Sequence, residues 1–257
     1  MIEFHDPSLD LAHFAFDTVG STNEEAFALG KTRALDRLAV TALRQTSGRG
    51  RRGRSWVSEP GNLYASFFLH APGPASACAE LSFVAAVSLH EALSALSPRE
   101  TRDCRVKWPN DILWNGRKCA GILLEAREAR KEEGAMDVVV GIGVNIAHHP
   151  ANLPYPVTDL VNEGIDATTD AVFDCLKQRF FQNLALWAEG TGFSLIRQRW
   201  LSVAHGLGDA ILVRLANEKI RGRFLDLDKD GRLVLGLAGG GQRLITAGDV
   251  FFPADTR

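Results

Sequence analysis

The chain has 257 residues, 46% of them apolar, with 29 Lys and Arg against 31 Asp and Glu for a formal net charge of -2. That length accommodates one large domain and a small one, and so balanced a charge argues against non-specific nucleic-acid binding, which rests on many phosphate contacts. Cys78, Cys104, Cys119 and Cys175 show no C-x-x-C spacing, which speaks against a disulfide framework or zinc site and for the reduced thiols of a cytoplasmic protein.

The N-terminus, Met1-Ile2-Glu3-Phe4-His5-Asp6-Pro7, lacks the basic and apolar segments of a signal peptide. Residues 11–17 read as one strand, ending at Val19-Gly20-Ser21-Thr22-Asn23-Glu24-Glu25. Hydroxyl and amide side chains followed by two glutamates mark a helix start. The same junction gathers backbone N–H groups and short polar side chains where a polar ligand could bind, and the two readings are compatible.

A second strand, residues 39–44, delivers Gln45 and Thr46 to the most unusual stretch, Gly48-Arg49-Gly50-Arg51-Arg52-Gly53-Arg54-Ser55-Trp56. Glycine permits positive φ and close backbone approach, and arginine supplies a permanent charge with a planar fork of donors. The stretch reads as an anion clamp, or as a solvated basic surface patch. Its G-x-G-x-x-G spacing lacks the following helix and the later acidic residue of a dinucleotide fold.

Residues 62–69 are β-rich, and 79–96 carry apolar residues at helical spacing, giving a buried helix that ends before Pro98 and is too short and too interrupted for a membrane span. In Lys107-Trp108-Pro109-Asn110-Asp111 a proline breaks a strand and leaves Asn110 and Asp111 at a turn, and Asn115-Gly116 is a strong hairpin signal. Strict alternation after that hairpin puts Lys118 on the face of Ala120, Ile122 and Leu124. There it either reaches for water or serves a ligand charge. The strand 136–146 holds Gly141 and Gly143, a sign of a bulge or of close backbone approach, to a flat ligand for example. A loop to residue 165 and helices over 170–189 and 194–201 follow, and beyond Gly206 come five short strands. Asp226 to Gly231 imitates half of a calcium loop, but Leu237 stands where a glutamate is required, so a hairpin turn without calcium is expected.

Taken together, Ser21-Thr22-Asn23, Gln45, the arginine loop, Lys107 to Asp111, Lys118 to Glu125 and Gly141 to Asn145 resemble biotin protein ligases in order and spacing, and the C-terminal strands resemble their barrel. The resemblance implies an α+β fold, with a mixed-sheet catalytic domain and packed helices over residues 1–205 and a small SH3-like β-barrel over 206–257. It also implies that biotin and MgATP form biotinyl-5′-AMP, from which a lysine of a biotin carrier domain, such as that of acetyl-CoA carboxylase, takes the biotin. By the same resemblance Ser21, Thr22, Asn23, Gln45, Arg49, Gly50, Arg51 and Lys118 bind biotin, and Lys118 and Arg51 are catalytic. Arg51, Arg54, Trp56, Asn110, Asp111 and Asn145 face the nucleotide. Asp111 either helps hold Mg²⁺ delivered with ATP or, with Asn110, fixes the turn, and Cys119 faces away from the site. Lipoate–protein ligase is the alternative activity, since that family shares the fold. Bifunctional members carry a helix-turn-helix ahead of the Ser-Thr-Asn motif. Only twenty residues precede Ser21 here, so operator DNA is not an expected partner. The short, interrupted apolar run 81–96 argues against a membrane as well, whereas a homodimer through sheet edges is expected by the resemblance.

Overall fold

A computed structural model describes residues 1–97, 103–129 and 133–252. Its larger part is an eight-stranded sheet in the order β1 (Ile2–Asp6), β2 (Leu11–Val19), β3 (Arg37–Gln45), β4 (Leu63–Leu69), β8 (Met136–Val144), β7 (Arg117–Glu128), β6 (Asp111–Trp114) and β5 (Cys104–Lys107). The N-terminal residues thus form two strands rather than the one expected. Phe4 alternates across the hairpin to meet His13, with ring centroids 5.5 Å apart. Only β2 and β3 run parallel, because α1 (Thr22–Arg33) returns the chain between them, and the other neighbours are antiparallel.

Helices cover both faces. α1 lies on one, where Phe27, Phe14, Val40 and Phe68 form a small core. Gly30 permits that approach, since a Cβ there would lie 2.5 Å from the Phe68 ring. The other face carries α2 (Leu81–Leu96), α3 (Thr169–Trp187) and α4 (Phe193–Ser202) over the main core. β4 runs through the middle and is buried along its whole length, as a strand covered on both sides must be. Its Phe67 stacks on Phe180 at 4.5 Å and 8°. Burying such a ring contributes about 1.5–3 kcal/mol, and the stacked pair adds roughly 0.5–1.5. The helical stretch Cys78–Leu96 has a mean hydropathy of 1.3 over a membrane-length window. Its apolar residues are accounted for by the core, in which Leu81, Val84, Leu89 and Leu93 are fully buried.

The C-terminal part is a five-stranded antiparallel sheet in the order β12 (Gln242–Ile245), β11 (Leu233–Gly236), β10 (Lys219–Leu227), β9 (Ala210–Arg214) and β13 (Asp249–Phe251), the small SH3-like unit. Its core is continuous with the main one through Trp200 and Phe224. Trp108 Nε1 donates to Gly231 O at 3.2 Å, so the two parts are also hydrogen-bonded. In the Asp228–Arg232 turn, Asp228 Oδ1 accepts from the backbone N–H groups of Asp230 and Arg232, and Oδ2 takes the Arg232 guanidinium. Residues 253–257 of the expected C-terminal domain, and Pro98 after the expected helix, lie outside the described residues.

Candidate functional site

The cleft lies on the α1 face of the sheet, over the part that α1 leaves uncovered. Its floor is β7 and β8, its roof is the arginine loop, and one end is closed by residues 249–252 of the small sheet. Two glycines keep the floor low. A Cβ at Gly141 would sit 2.2 Å from Asn23 Oδ1, and one at Gly143 would sit 2.6 Å from the Trp56 indole. The flat group lying over this strand is therefore the protein's own tryptophan.

At one end of the cleft is a polar cluster. Ser21 occupies the N-cap position of α1, but its side chain makes no capping bond, so the expected hydroxyl cap is not formed. Instead, Gln45 Oε1 accepts from Thr22 N at 2.9 Å and Thr22 Oγ1 at 3.0 Å. Gln45 Nε2 donates to Ser58 Oγ at 2.9 Å. Ser66, fully buried on β4, places its Oγ 2.6 Å from Asn23 Oδ1 and 2.8 Å from Thr22 Oγ1. Asn23 Nδ2 donates to Glu125 Oε2 at 2.7 Å. The orientation of Thr22, Asn23 and Gln45 is thus fixed before any ligand arrives, and Ser21 adds an uncommitted hydroxyl.

Lys118 stands at the middle of the cleft, and on the opposite face from the one strict alternation assigns. The pairing of β6 with β7 slips between Ile112 and Leu113: Leu113 faces Lys118, but Ile112 faces Ala120. This bulge adds one residue to β7 and breaks the alternation at Cys119. Lys118 consequently joins Gly121 and Leu123 on the cleft side, while Cys119, Ala120 and Ile122 enter the core. Burial pushes the Cys119 thiol well above its ordinary range. Lys118 Nζ lies 2.6 Å from Asp111 Oδ1 and 5.5 Å and 5.7 Å from the Trp56 and Tyr155 rings. The lysine side chain is only 17% exposed, so it does not reach out to water. Asp111 is held in place by the turn after Trp108-Pro109, a cis peptide.

The loop folds back on itself. Gly50 N donates to Arg54 O at 2.7 Å, Trp56 N donates to Gly48 O at 2.9 Å, and Arg49 and Ser55 form a bridge. Three of its four arginines are matched to carboxylates. Arg49 reaches Glu24 at 2.8 Å and Glu125 at 3.3 Å, while Arg52 and Arg54 both reach Asp249. Among the described residues, Arg51 has no ion pair. Its Nη1 donates to Asn110 Oδ1 at 3.2 Å, and burial holds its pKa below the ordinary guanidinium value, partly offset by the nearby charges of Asp249 and Asp111. A partly desolvated cation without a paired carboxylate is ready to take an anion.

Of the residues singled out in the sequence, Ser21, Thr22, Asn23, Gln45, Arg49, Gly50, Arg51, Arg54, Trp56, Asn110, Asp111 and Lys118 all line this one cleft. Asn145 does not. It is buried behind the floor, where its Nδ2 donates to Thr158 O at 3.0 Å and its N–H to Cys119 O at 2.8 Å, pinning the loop that carries Tyr155. Sequence reasoning missed Ser66, Tyr155 and Asp249. None belongs to a recognisable motif, and Asp249 lies 197 positions from Arg52.

Residues 16–145 match the Biotin/lipoate A/B protein ligase family, and residues 206–252 match the Biotin protein ligase C terminal domain. The chain is 38% identical over 244 residues to the biotin--[acetyl-CoA-carboxylase] ligase of Paracoccus denitrificans, covering 90% of this chain and 97% of that protein. The chain belongs to the biotin protein ligase family. Another family member, the bifunctional ligase/repressor BirA of Escherichia coli, is 32% identical over 223 residues, or 84% of this chain and 67% of that protein. Among solved biotin protein ligases, that of Aquifex aeolicus in complex with biotin and ATP superposes with a TM-score of 0.76 at 27% identity, covering 93% of this chain and 97% of that one.

Proposed function

We propose that this cleft activates biotin with MgATP, releasing pyrophosphate and forming biotinyl-5′-AMP, and then passes the biotin to a lysine ε-amine on a carboxylase's carrier domain. The observation that carries the assignment is the placement of a preset hydrogen-bonding cluster, a shielded lysine and a half-buried arginine with no ion pair among the described residues along one cleft. It is joined to 38% identity, over 90% of the chain, with a protein named for that reaction.

The chemistry suits these groups. A carboxylate is ionised at neutral pH, so its oxygen attacks the α-phosphorus without a protein nucleophile, and the bond to the bridging oxygen of pyrophosphate breaks. The barrier lies in bringing two anions together and aligning them, which fixed cations and donors lower. We assign Ser21, Thr22, Asn23 and Gln45 to the biotin head group. Arg49, Gly50 and Arg51 lie across the bond being formed, and Lys118 stands at the reacting carboxylate and α-phosphate. Arg54, Trp56 and Asn110 face the nucleotide. Asn145 acts on it indirectly, through the loop it holds. The second half-reaction forms the amide bond as the amine attacks the acyl carbon and AMP leaves.

Among the described residues no cluster of three or more His, Cys, Asp or Glu could hold a metal ion. Mg²⁺ that arrives with ATP takes its ligands chiefly from the phosphates and water, with one or two carboxylates. Asp111, the carboxylate beside Lys118, would meet it, and the ion would neutralise phosphate charge.

The same reading divides the chain into a catalytic domain, 1–205, and a barrel, 206–257. It places the protein in the cytoplasm, without DNA or membrane as partners, consistent with the net charge of -2. It also includes a homodimer through the outer edge of the large sheet, where Ile2 and Phe4 are exposed. The deciding measurement is pyrophosphate release by purified protein with ATP and biotin, followed by biotin transfer to a carrier domain. Release with lipoate but not with biotin would overturn the assignment.

A further inference from the structure

Asp249 begins β13, and the residues after it, Val250 to Phe252, wall the cleft. Its two carboxylate oxygens are divided between two arginines of the loop. Oδ2 accepts from Arg52 Nη1 at 3.0 Å, and Oδ1 accepts from Arg54 Nη2 at 2.9 Å. The aspartate side chain is 21% exposed, against 41% and 53% for the arginines, so this bifurcated pairing is more shielded than an ordinary surface ion pair.

The backbone of the loop tip is shaped to make it. Arg52 sits at φ 58 and ψ 31, and Gly53 at φ +70. Two successive left-handed residues reverse the chain so that side chains from positions 52 and 54 converge. A non-glycine residue in that region persists only where its surroundings hold it there. The other anchors of the loop, Arg49 on Glu24 and Glu125 and Arg51 on Asn110, belong to the large sheet and α1. Asp249 is the ion-pair anchor on the small sheet.

We infer that Asp249 is a positioning residue for adenylate retention: it fastens the tip of the arginine loop to the C-terminal unit, keeping the roof over the acyl-adenylate until the acceptor lysine arrives. This rests on the proposed function and gives the small sheet a specific part in it. Asp249 acts through Arg52 and Arg54. Its loss therefore changes how long the intermediate stays bound more than how fast it forms.

The test uses the full chain loaded with biotin and ATP in the absence of carrier. Asp249→Asn removes the charge at nearly constant size. Pyrophosphate release is expected to show an initial burst within about threefold of the parent rate, followed by dissociation of biotinyl-AMP about tenfold faster, the scale set by two partly shielded ion pairs acting on an off-rate. Asp249→Glu should restore retention. Arg52→Ala, on the exposed loop and outside the assigned substrate contacts, removes one of the two pairs and should reproduce part of the faster release, adding nothing in the Asp249→Asn background. Unchanged release in both Asp249→Asn and Arg52→Ala, or effects that multiply in the double variant, would overturn the inference. A parent enzyme without any burst would instead refute the proposed function.

Discussion

Replacing Lys118 by alanine tests the central electrostatic claim. Lys118 Nζ lies 2.6 Å from Asp111 Oδ1, and the two side chains are 17% and 23% exposed. A unit charge about 4 Å from a developing phosphate charge, at the effective dielectric of about 20 that suits such a half-shielded place, is worth about 4 kcal/mol. Removing one preorganised donor from a comparable site costs about 3 kcal/mol. The two figures agree on a loss of about a hundredfold or more in the rate of adenylate formation. The substitution also leaves Asp111 without its cation, a cost of roughly 1–3 kcal/mol to the folded state. Thermal unfolding must therefore be followed alongside, and Lys118→Met, which keeps most of the side-chain volume, separates lost charge from lost packing. The assay is single-turnover pyrophosphate release at saturating biotin and ATP, which excludes a simple loss of binding. A rate for Lys118→Ala within about threefold of the parent, in folded protein, would remove the lysine from the mechanism, because a charge at that position cannot contribute so little to a step that joins two anions.

Gly143→Ala is expected to displace Trp56, since the new Cβ would lie 2.6 Å from the indole. Overpacking of this kind costs about 1–3 kcal/mol, so KM for ATP should rise at least about fivefold together with a shift in tryptophan emission, and unchanged values of both would refute the placement of the indole over β8. His13 lies between the Phe4 and Phe173 rings, with Nε2 2.8 Å from Thr41 Oγ1. Burial, reinforced by Lys177, lowers its pKa from 6.5 to about 4. The folded state therefore favours neutral His13, and the resulting stability is present above the unfolded pKa and lost as pH falls from about 6.5 towards 4. Between pH 7 and pH 5 this amounts to about 2 kcal/mol, which denaturant titrations of parent and His13→Gln at the two pH values would detect as a smaller pH dependence in the variant.

The parts of the fold that were legible are those whose signal is local. The Asn115-Gly116 turn adopts φ values of 49° and 72°, as its residue types dictate. α3 (Thr169–Trp187) falls where helical spacing places residues 170–189, and the five short strands after Gly206 declare themselves by their turns. What was misread depends on a partner strand or on distant residues. Residues 2–6 alternate over only five positions and stay largely exposed, and they form a strand because β2 offers an edge. The face of Lys118 was misassigned because a bulge is a property of two paired strands, and the sequence of β7 alone contains no mark of it. Ser21 looks like a helix cap in any sequence, yet its side chain makes no capping bond and lines the cleft, while Gln45, 23 positions beyond Thr22, takes the helix's first amide.

The arginine loop shows why composition alone left two readings open. Four guanidinium groups in six residues look alike in a sequence, and a solvated patch would treat them alike. In the fold they divide by burial and partner. Arg49 is tied to the floor, where its hydrogen bond to Glu24 raises its pKa above the ordinary value, and Arg52 and Arg54 are tied to the small sheet. Arg51 is turned inward without a carboxylate. The three matched arginines already have carboxylate partners, and Arg52, outside the assigned substrate contacts, acts as a fastener. Arg51, with its pKa lowered by burial, is the group for which an incoming phosphate or carboxylate improves the electrostatics most, because it alone gains a counter-charge without breaking an existing ion pair. That asymmetry separates a clamp from a basic surface, and it predicts that neutralising Arg51 should weaken substrate engagement far more than neutralising Arg52, whose loss should mainly shorten the residence of the intermediate. Equal effects of Arg51→Ala and Arg52→Ala on single-turnover adenylation would mean that the loop works as an undivided patch of charge after all.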